Sequence, residues 1–317
     1  MPTLLYLQKL PEPLVERLRS AAPGWEIHTG TRDDLPPELY RSAEIICGWN
    51  RKQAEELLHE EARLRWIHTP STGVDYLPLE QLQQRGVLLS NSKGVHAIPV
   101  AETTLGLMLA LARQIDLSIR NQGKHLWKPG KNPLVLHGKT IGIVGTGQIG
   151  RELARIAQAL GMRTLGVYHS NKPEQHFDEA GDMDYLDTLL KESDYVVNIL
   201  PLTDQSRGLF NADLFRRMKS SAFFINVGRG PSVHTDDLVQ ALRDGTIAGA
   251  GLDVTDPEPL PEDHPLWDLG NLVLTPHIAG DSDENQERVL ELFLDNLKFY
   301  LQEGKLKHNQ VRYDREY

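Results

Sequence analysis

The chain is predicted to be α/β, with parallel sheets covered by helices, and two observations make that prediction. Short apolar runs alternate with helical stretches along most of its length, the pattern of strands buried between helices. One of those runs feeds a glycine-rich turn that opens directly into a helix. With 317 residues, 40% hydrophobic and 25% charged, there is material for two domains, each with its own core.

In chain order, residues 3–7 read as a strand, followed by a helix over 13–21 that Pro23 and Gly24 end. Further strands are expected at 25–28, 44–48, 64–68 and 87–90, with a helix at 79–84 before the last. The stretch 98–113 begins near Pro99 and carries Val100, Leu105, Leu107, Met108, Leu109 and Leu111. Apolar on nearly every face, this helix is expected to be buried between larger units. Residues 121–137 are rich in Gly, Pro and Lys, show no period, and read as a loop.

A second series follows: a strand at 139–144, a helix at 148–160 closed by Gly161, and a strand at 163–168. Strands at 195–200, 222–227, 248–254 and 272–275 continue it, with helices at 211–218 and at 235–243, the latter stopped by Gly245. Residues 283–301 put Val289, Leu290, Phe293, Leu294, Leu297 and Leu301 on one helical face, with acidic residues in the first turn and Gly304 closing it.

Composition excludes several classes. A net charge of -10 argues against a nucleic-acid partner, which demands a clustered basic surface. The single cysteine, Cys47, permits no internal disulfide and sits in an apolar run, where a buried, inert thiol is expected. The apolar start, Met1 to Tyr6, is too short for a signal-peptide core, and the most apolar stretch, 105–112, is far below membrane-spanning length. A cytoplasmic protein without a membrane partner is the expectation.

The run Thr140-Ile141-Gly142-Ile143-Val144-Gly145-Thr146-Gly147-Gln148-Ile149-Gly150 is a strand, a G-x-G-x-x-G turn and a helix start. Gly145 permits the tight turn, Gly147 lets the backbone approach a pyrophosphate, and Gly150 lets the helix lie close to the strand. The helix N-terminus offers N–H groups to the anion. With a second strand ending at Tyr168, this is the context of a Rossmann dinucleotide site. An acid about 20 residues past the turn would bind the ribose hydroxyls of NAD. This chain instead has Tyr168-His169-Ser170-Asn171-Lys172, with no acid before Glu174. His169 and Lys172 supply positive charge, and Ser170 and Asn171 supply donors, so NADP is favoured, with NAD possible.

Three later strands each deliver one polar residue at their end. Arg229 stands between two glycines in Phe224-Ile225-Asn226-Val227-Gly228-Arg229-Gly230. Glu258 lies between two prolines after Gly251-Leu252-Asp253-Val254-Thr255-Asp256, and His277 follows Leu272-Val273-Leu274-Thr275-Pro276. Ligands of open α/β sheets sit at strand carboxyl ends, and an Arg, a carboxylate and a His there suit hydride transfer to a carbonyl beside a carboxylate. His68, His96 and His137 read as structural.

Together with Ser71-Thr72-Gly73-Val74-Asp75, Val100-Ala101-Glu102 and Leu200-Pro201-Leu202-Thr203, these motifs resemble the D-isomer-specific 2-hydroxyacid dehydrogenase family over essentially the whole chain. The resemblance implies reduction of a small 2-oxo acid to a D-2-hydroxy acid, and the reverse. It implies that Arg229 grips the substrate carboxylate, that His277 is the general acid and base, and that Glu258 orients it. It places substrate at Ser71, Thr72 and Gly73, with Trp49 as a wall. It assigns Thr104, Gly145, Gly147, Gln148, Ile149, Gly150, Leu200, Pro201, Val227, Gly228, Asp253 and Gly280 to the dinucleotide.

The resemblance further implies a discontinuous flavodoxin-like substrate domain, 1–98 with 281–317, around a Rossmann domain at 99–280. It implies a cleft that closes by hinging at the two crossovers, and a homodimer formed through the cofactor domain. The chain ends at Tyr317, so neither a regulatory extension nor serine feedback is expected, and no basic cluster near Ser71 suggests a phosphorylated substrate. Glu258 stands where formate dehydrogenases have glutamine. The alternatives are a dinucleotide-sensing corepressor on the same fold and a phosphoglycerate dehydrogenase without a regulatory domain.

Overall fold

A computed structural model describes residues 1–31, 33–168 and 175–313. The chain divides into two units, residues 1–96 with 282–317 and residues 97–281. The first holds β1 (Thr3–Tyr6), β2 (Glu26–Thr29), β3 (Ala43–Cys47), β4 (Trp66–Thr69) and β5 (Leu88–Asn91). These strands are parallel in the order β2-β1-β3-β4-β5, the flavodoxin-like arrangement. The second unit holds β6 (Thr140–Val144), β7 (Arg163–Val167), β8 (Glu179–Gly181), β9 (Tyr195–Asn198), β10 (Phe223–Asn226), β11 (Gly249–Leu252) and β12 (Leu272–Leu274). Its order is β12-β11-β10-β9-β6-β7-β8, again wholly parallel. From β6 the chain runs outward to β8 and returns to β9 on the other side of β6. The crevice of this doubly wound sheet therefore opens at the carboxyl ends of β6 and β9.

Strand alternation builds a core on each face of both sheets. In the second unit Ile141, Ile143, Val197 and Ile225 meet the helices Ala97–Arg113 and Gln148–Ala159, while Val144, Val196, Phe224 and Leu252 face the opposite helical layer. In the first unit Leu4, Tyr6, Ile45 and Trp66 are covered by Leu290, Phe293, Leu294 and Leu297 of the helix Asn285–Glu303. Trp66 stacks on Phe293 with ring centroids 5.0 Å apart. That packing is why the last helix belongs to the same unit as the first strand.

Several elements depart from the pattern. Ile115–Gly123 is a helix where a loop was expected from 121, and it escaped notice because Ile115 and Ile119 are exposed and leave no buried stripe. The edge strand β8 has only Ala180 to offer an apolar pattern, and Pro37–Ser42 is too short to show a helical period. The helix Ala97–Arg113 buries Val100, Leu107, Met108 and Leu111, but Leu105 and Leu109 stay half-buried, so it is not covered on every side. Among the described residues no helix is long and apolar enough to cross a membrane.

His68 is fully buried at the end of β4, and its proton positions follow from its neighbours. Trp66 Nε1 donates to Ser90 Oγ (2.9 Å), which lies 2.8 Å from His68 Nδ1. His68 Nε2 lies 3.1 Å from Ser92 Oγ, which donates to the Thr69 carbonyl at 2.9 Å. Ser92 spends its proton on that carbonyl, so Nε2 carries the imidazole hydrogen and Nδ1 accepts from Ser90. A second ring proton would take from the Ser90 hydroxyl the acceptor of its own proton, and burial pushes the pKa from 6.5 down to about 3. The unfolded chain therefore takes up a proton that the folded chain refuses, and stability is lost as pH falls through 6.5 towards 3. The slope from this residue is up to about 1.4 kcal/mol per pH unit. In urea titrations between pH 6.5 and 4, His68→Gln is expected to flatten the fall in unfolding free energy; curves parallel to wild type would refute the assignment.

Candidate active site

The Gly145–Gly150 turn leaves β6 at the crevice. Gly145 sits at φ +111°, and its N–H donates to Val167 of β7 at 3.0 Å. At Gly150 a Cβ would lie 2.2 Å from the Gly145 carbonyl, so the helix start packs against the turn with no room for a side chain. At Gly147 a Cβ would meet nothing within 4 Å, so no neighbour in this chain requires glycine there. Gly147 and Gln148 are exposed, and Ile149 is half-buried. The helical ladder begins with Arg151 N–H to Gly147 O (2.9 Å), so the amides of the first turn lie outside it. An open position at the head of a helix fits a pyrophosphate. Leu200 and Pro201 follow β9 on the other side of the crevice. His169, Ser170 and Lys172 lie outside the described residues.

Arg229, Glu258 and His277 follow β10, β11 and β12 on the carboxyl edge of this sheet. The half-buried Arg229 donates from Nη1 to the Gly228 carbonyl at 2.9 Å. His277 Nδ1 lies 2.9 Å from Glu258 Oε2, both side chains being partly open to solvent. The other carboxylate oxygen, Oε1, accepts from the Thr255 N–H at 2.9 Å, which aims Glu258. An ionised carboxylate only accepts, so Nδ1 carries a hydrogen and Nε2 is left as the atom that can exchange a proton.

His277 takes φ +53°, a left-handed conformation that costs a non-glycine residue about 1 kcal/mol or more. Asp253, 2% exposed, holds it there. Its carboxylate accepts from Thr275 Oγ1 (2.7 Å), Ile278 N–H (3.0 Å) and Ala279 N–H (2.9 Å), and its carbonyl accepts from His277 N–H (2.8 Å). Asp253, expected at the dinucleotide, thus also braces the histidine's turn. Gly280 follows directly. Thr104 is fully buried, with its hydroxyl donated to the Val100 carbonyl (2.7 Å), and Val227 is buried with its N–H donated to the Asn198 carbonyl (3.1 Å).

In the first unit, Ser71, Thr72 and Gly73 form a half-buried loop after β4. Ser71 Oγ donates to the Gly73 carbonyl (2.9 Å), and the Ser71 carbonyl accepts from Thr69 Oγ1 (3.0 Å) and from Ser92 N–H (3.1 Å). Asn91 Nδ2 donates to the Thr72 carbonyl at 2.7 Å, and His96 Nε2 lies 2.8 Å from the Pro70 carbonyl. Trp49 is 3% exposed and packs in the core with Leu5, Ile46 and Ile67. Sequence reasoning passed over Asn91 and Ser92; the signal was a run of buried polar residues, Ser90 to Ser92, at a strand end, where each demands a partner.

With this architecture and site in place, the chain falls among dinucleotide-dependent oxidoreductases of the doubly wound type. The profile of the D-isomer specific 2-hydroxyacid dehydrogenase NAD-binding domain matches residues 105–279. Glyoxylate/hydroxypyruvate reductase B of Salmonella schwarzengrund is 37% identical over 98% of both chains. A D-isomer specific 2-hydroxyacid dehydrogenase family protein from Aeromonas salmonicida superposes with a TM-score of 0.87 at 32% identity over 99% of both chains. An NADPH-dependent glyoxylate/hydroxypyruvate reductase from Sinorhizobium meliloti, solved with citrate, does so with a TM-score of 0.82 at 26% identity, over 99% of this chain and 98% of that one. The chain belongs to the D-isomer specific 2-hydroxyacid dehydrogenases, and is an oxidoreductase with a nicotinamide-dinucleotide domain.

The two glycines predict different phenotypes. Gly150→Ala forces helix and turn apart and is expected to lower Tm by several degrees, about 1–3 kcal/mol for an overpacked contact. Gly147→Ala is expected to leave Tm within about a degree while weakening NADPH binding by about tenfold or more, read by nucleotide fluorescence titration. Equal losses of stability in the two variants would contradict the open position at Gly147.

Proposed function

We propose that this protein reduces small 2-oxo acids to D-2-hydroxy acids and runs the reaction in reverse, with NADP(H) preferred over NAD(H). The His277–Glu258 pair at 2.9 Å, on the strand edge that also carries Arg229, supports this reading most directly. Gly145, Gly147, Gln148, Ile149, Gly150, Leu200 and Pro201 would hold the dinucleotide, which when bound exchanges a hydride with the substrate's C2. Arg229 binds the substrate carboxylate through its planar fork of donors, which also draws electron density from the adjacent carbonyl. His277 Nε2 gives its proton to the carbonyl oxygen in reduction and takes it from the hydroxyl in oxidation. Glu258, bonded to Nδ1–H, fixes the ring's tautomer and keeps Nε2 aimed.

The preference for NADP rests on the cationic Lys172, on His169 near it in sequence, and on the absence of an acid before Glu174. The Sinorhizobium relative, named as NADPH-dependent, accords with it. The names of the relatives put glyoxylate and hydroxypyruvate first among substrates. Steady-state rates with these two, pyruvate, phenylpyruvate and branched 2-oxo acids, each with NADPH and NADH, test the reading. Turnover with at least one acid and a higher kcat/KM with NADPH are expected; no oxidation of either dinucleotide would reject the enzyme in favour of a dinucleotide-sensing protein. His277→Ala is expected to lower kcat by about a hundredfold or more while NADPH still binds.

A homodimer through the second unit is part of the proposal. Ile115, Ile119, Leu126 and Val135 are exposed there, and Trp127 is fully so, an apolar surface suited to a second copy. Sedimentation should show a dimer that Trp127→Glu weakens or dissociates; a wild-type monomer at micromolar concentration would count against it.

A further inference from the structure

The Arg229 guanidinium is tied to the Gly228 carbonyl, so whatever fixes that peptide also fixes the guanidinium. Three fully buried polar side chains do so. Asn198 closes β9, Asn226 closes β10, and Ser232 lies just beyond Arg229; each is at most 1% exposed. Asn198 Oδ1 accepts from Leu200 N–H at 3.2 Å, which directs its Nδ2 to Asn226 Oδ1 (2.9 Å) and Ser232 Oγ (2.7 Å). Asn226 Oδ1 also accepts from Gly228 N–H at 3.2 Å, while its Nδ2 donates to the Arg229 carbonyl at 3.1 Å. Ser232 Oγ donates to the same carbonyl at 2.5 Å.

Each of these side-chain donors and acceptors is engaged, and the amide orientations leave one consistent pattern. Hydrogen bonds hold the main chain on both sides of the Gly228–Arg229 link, at Gly228 N–H and at the Arg229 carbonyl. Gly228 packs against the β9 end with no space for a side chain, since a Cβ there would lie 2.7 Å from the Leu200 carbonyl. A buried polar cluster is costly unless fully paired, and in this one every bond links two of the three side chains or ends on the peptides around Arg229 or on Leu200.

We propose that Asn198, Asn226 and Ser232 act as one positioning unit that sets the direction of the Arg229 guanidinium for the substrate carboxylate, registering it against the β9 end at Leu200. This rests on the assignment of Arg229 to that carboxylate. The three residues touch no substrate; they act through the backbone of the arginine.

Ser232→Ala tests the unit in the full-length protein, because it removes the donor to the Arg229 carbonyl and the acceptor for Asn198 with little change of volume. The expected result is a KM for the 2-oxo acid raised about tenfold, with NADPH affinity within about twofold of wild type. Combined with Arg229→Gln, it should add little to the loss caused by Arg229→Gln alone. Ser232→Cys, a weaker donor of similar shape, should fall between wild type and alanine, and carries the test if the alanine variant does not fold. A lowered Tm with unchanged KM, or losses that add fully, would overturn the proposal by showing a merely structural role. If Arg229→Gln itself leaves KM unchanged, the carboxylate assignment fails first and the proposal falls with it.

Discussion

All strands of the second sheet point the same way, and the chemistry of the molecule depends on that constraint. A parallel sheet needs a crossover for every strand, so each strand enters from one edge and releases its loop at the other. Residues distant in sequence are thereby gathered on a single edge: the turn after Val144, Leu200, Arg229, Asp253 and the His277 turn. The reversal of strand order between β6 and β9 then parts the neighbouring loops and opens a crevice there. Helices on both faces pay for the arrangement by burying the strands almost completely.

Buried polar groups at the strand ends turn this edge into a rigid frame. Asp253 holds His277 in a conformation it would not choose alone, and Thr255 aims Glu258. The first unit repeats the device with different residues, where His68, Ser90, Ser92 and Asn91 brace the Ser71–Gly73 loop. In both units the candidate site groups are partly exposed, while Asp253, Asn91 and Ser92, which brace them, are buried. The precision of the exposed residues is thus derived from the core.

The parallel architecture was legible in the sequence because strands buried on both faces appear as unbroken apolar runs. The Gly145 turn was equally plain, since the spacing of its glycines is dictated by backbone geometry. Arg229, Glu258 and His277 stood out as polar residues at apolar strand ends. What stayed hidden was the support. Asn198 and Ser232 are ordinary polar residues whose meaning lies in partners up to 34 positions away, which no local pattern encodes. Asp253 was noticed and given to the dinucleotide, but its sequence setting does not reveal that its carboxylate also braces the turn at 275–279. Ile115–Gly123 was missed for the opposite reason, since its apolar side chains point outward.

The discontinuity of the first unit bears on how the protein is made. Tyr6, Ile45 and Trp66 leave the ribosome before residues 97–281, yet the helix that covers them, Asn285–Glu303, emerges only after that whole stretch. At ordinary elongation rates of about 5–20 residues per second, that apolar face waits on the order of tens of seconds for its cover. The intervening residues 97–281 meanwhile contain the whole of their own sheet. During synthesis the nascent chain therefore carries an unfinished amino-terminal sheet, the part a chaperone has most reason to shield, while the dinucleotide unit already has everything it needs to fold.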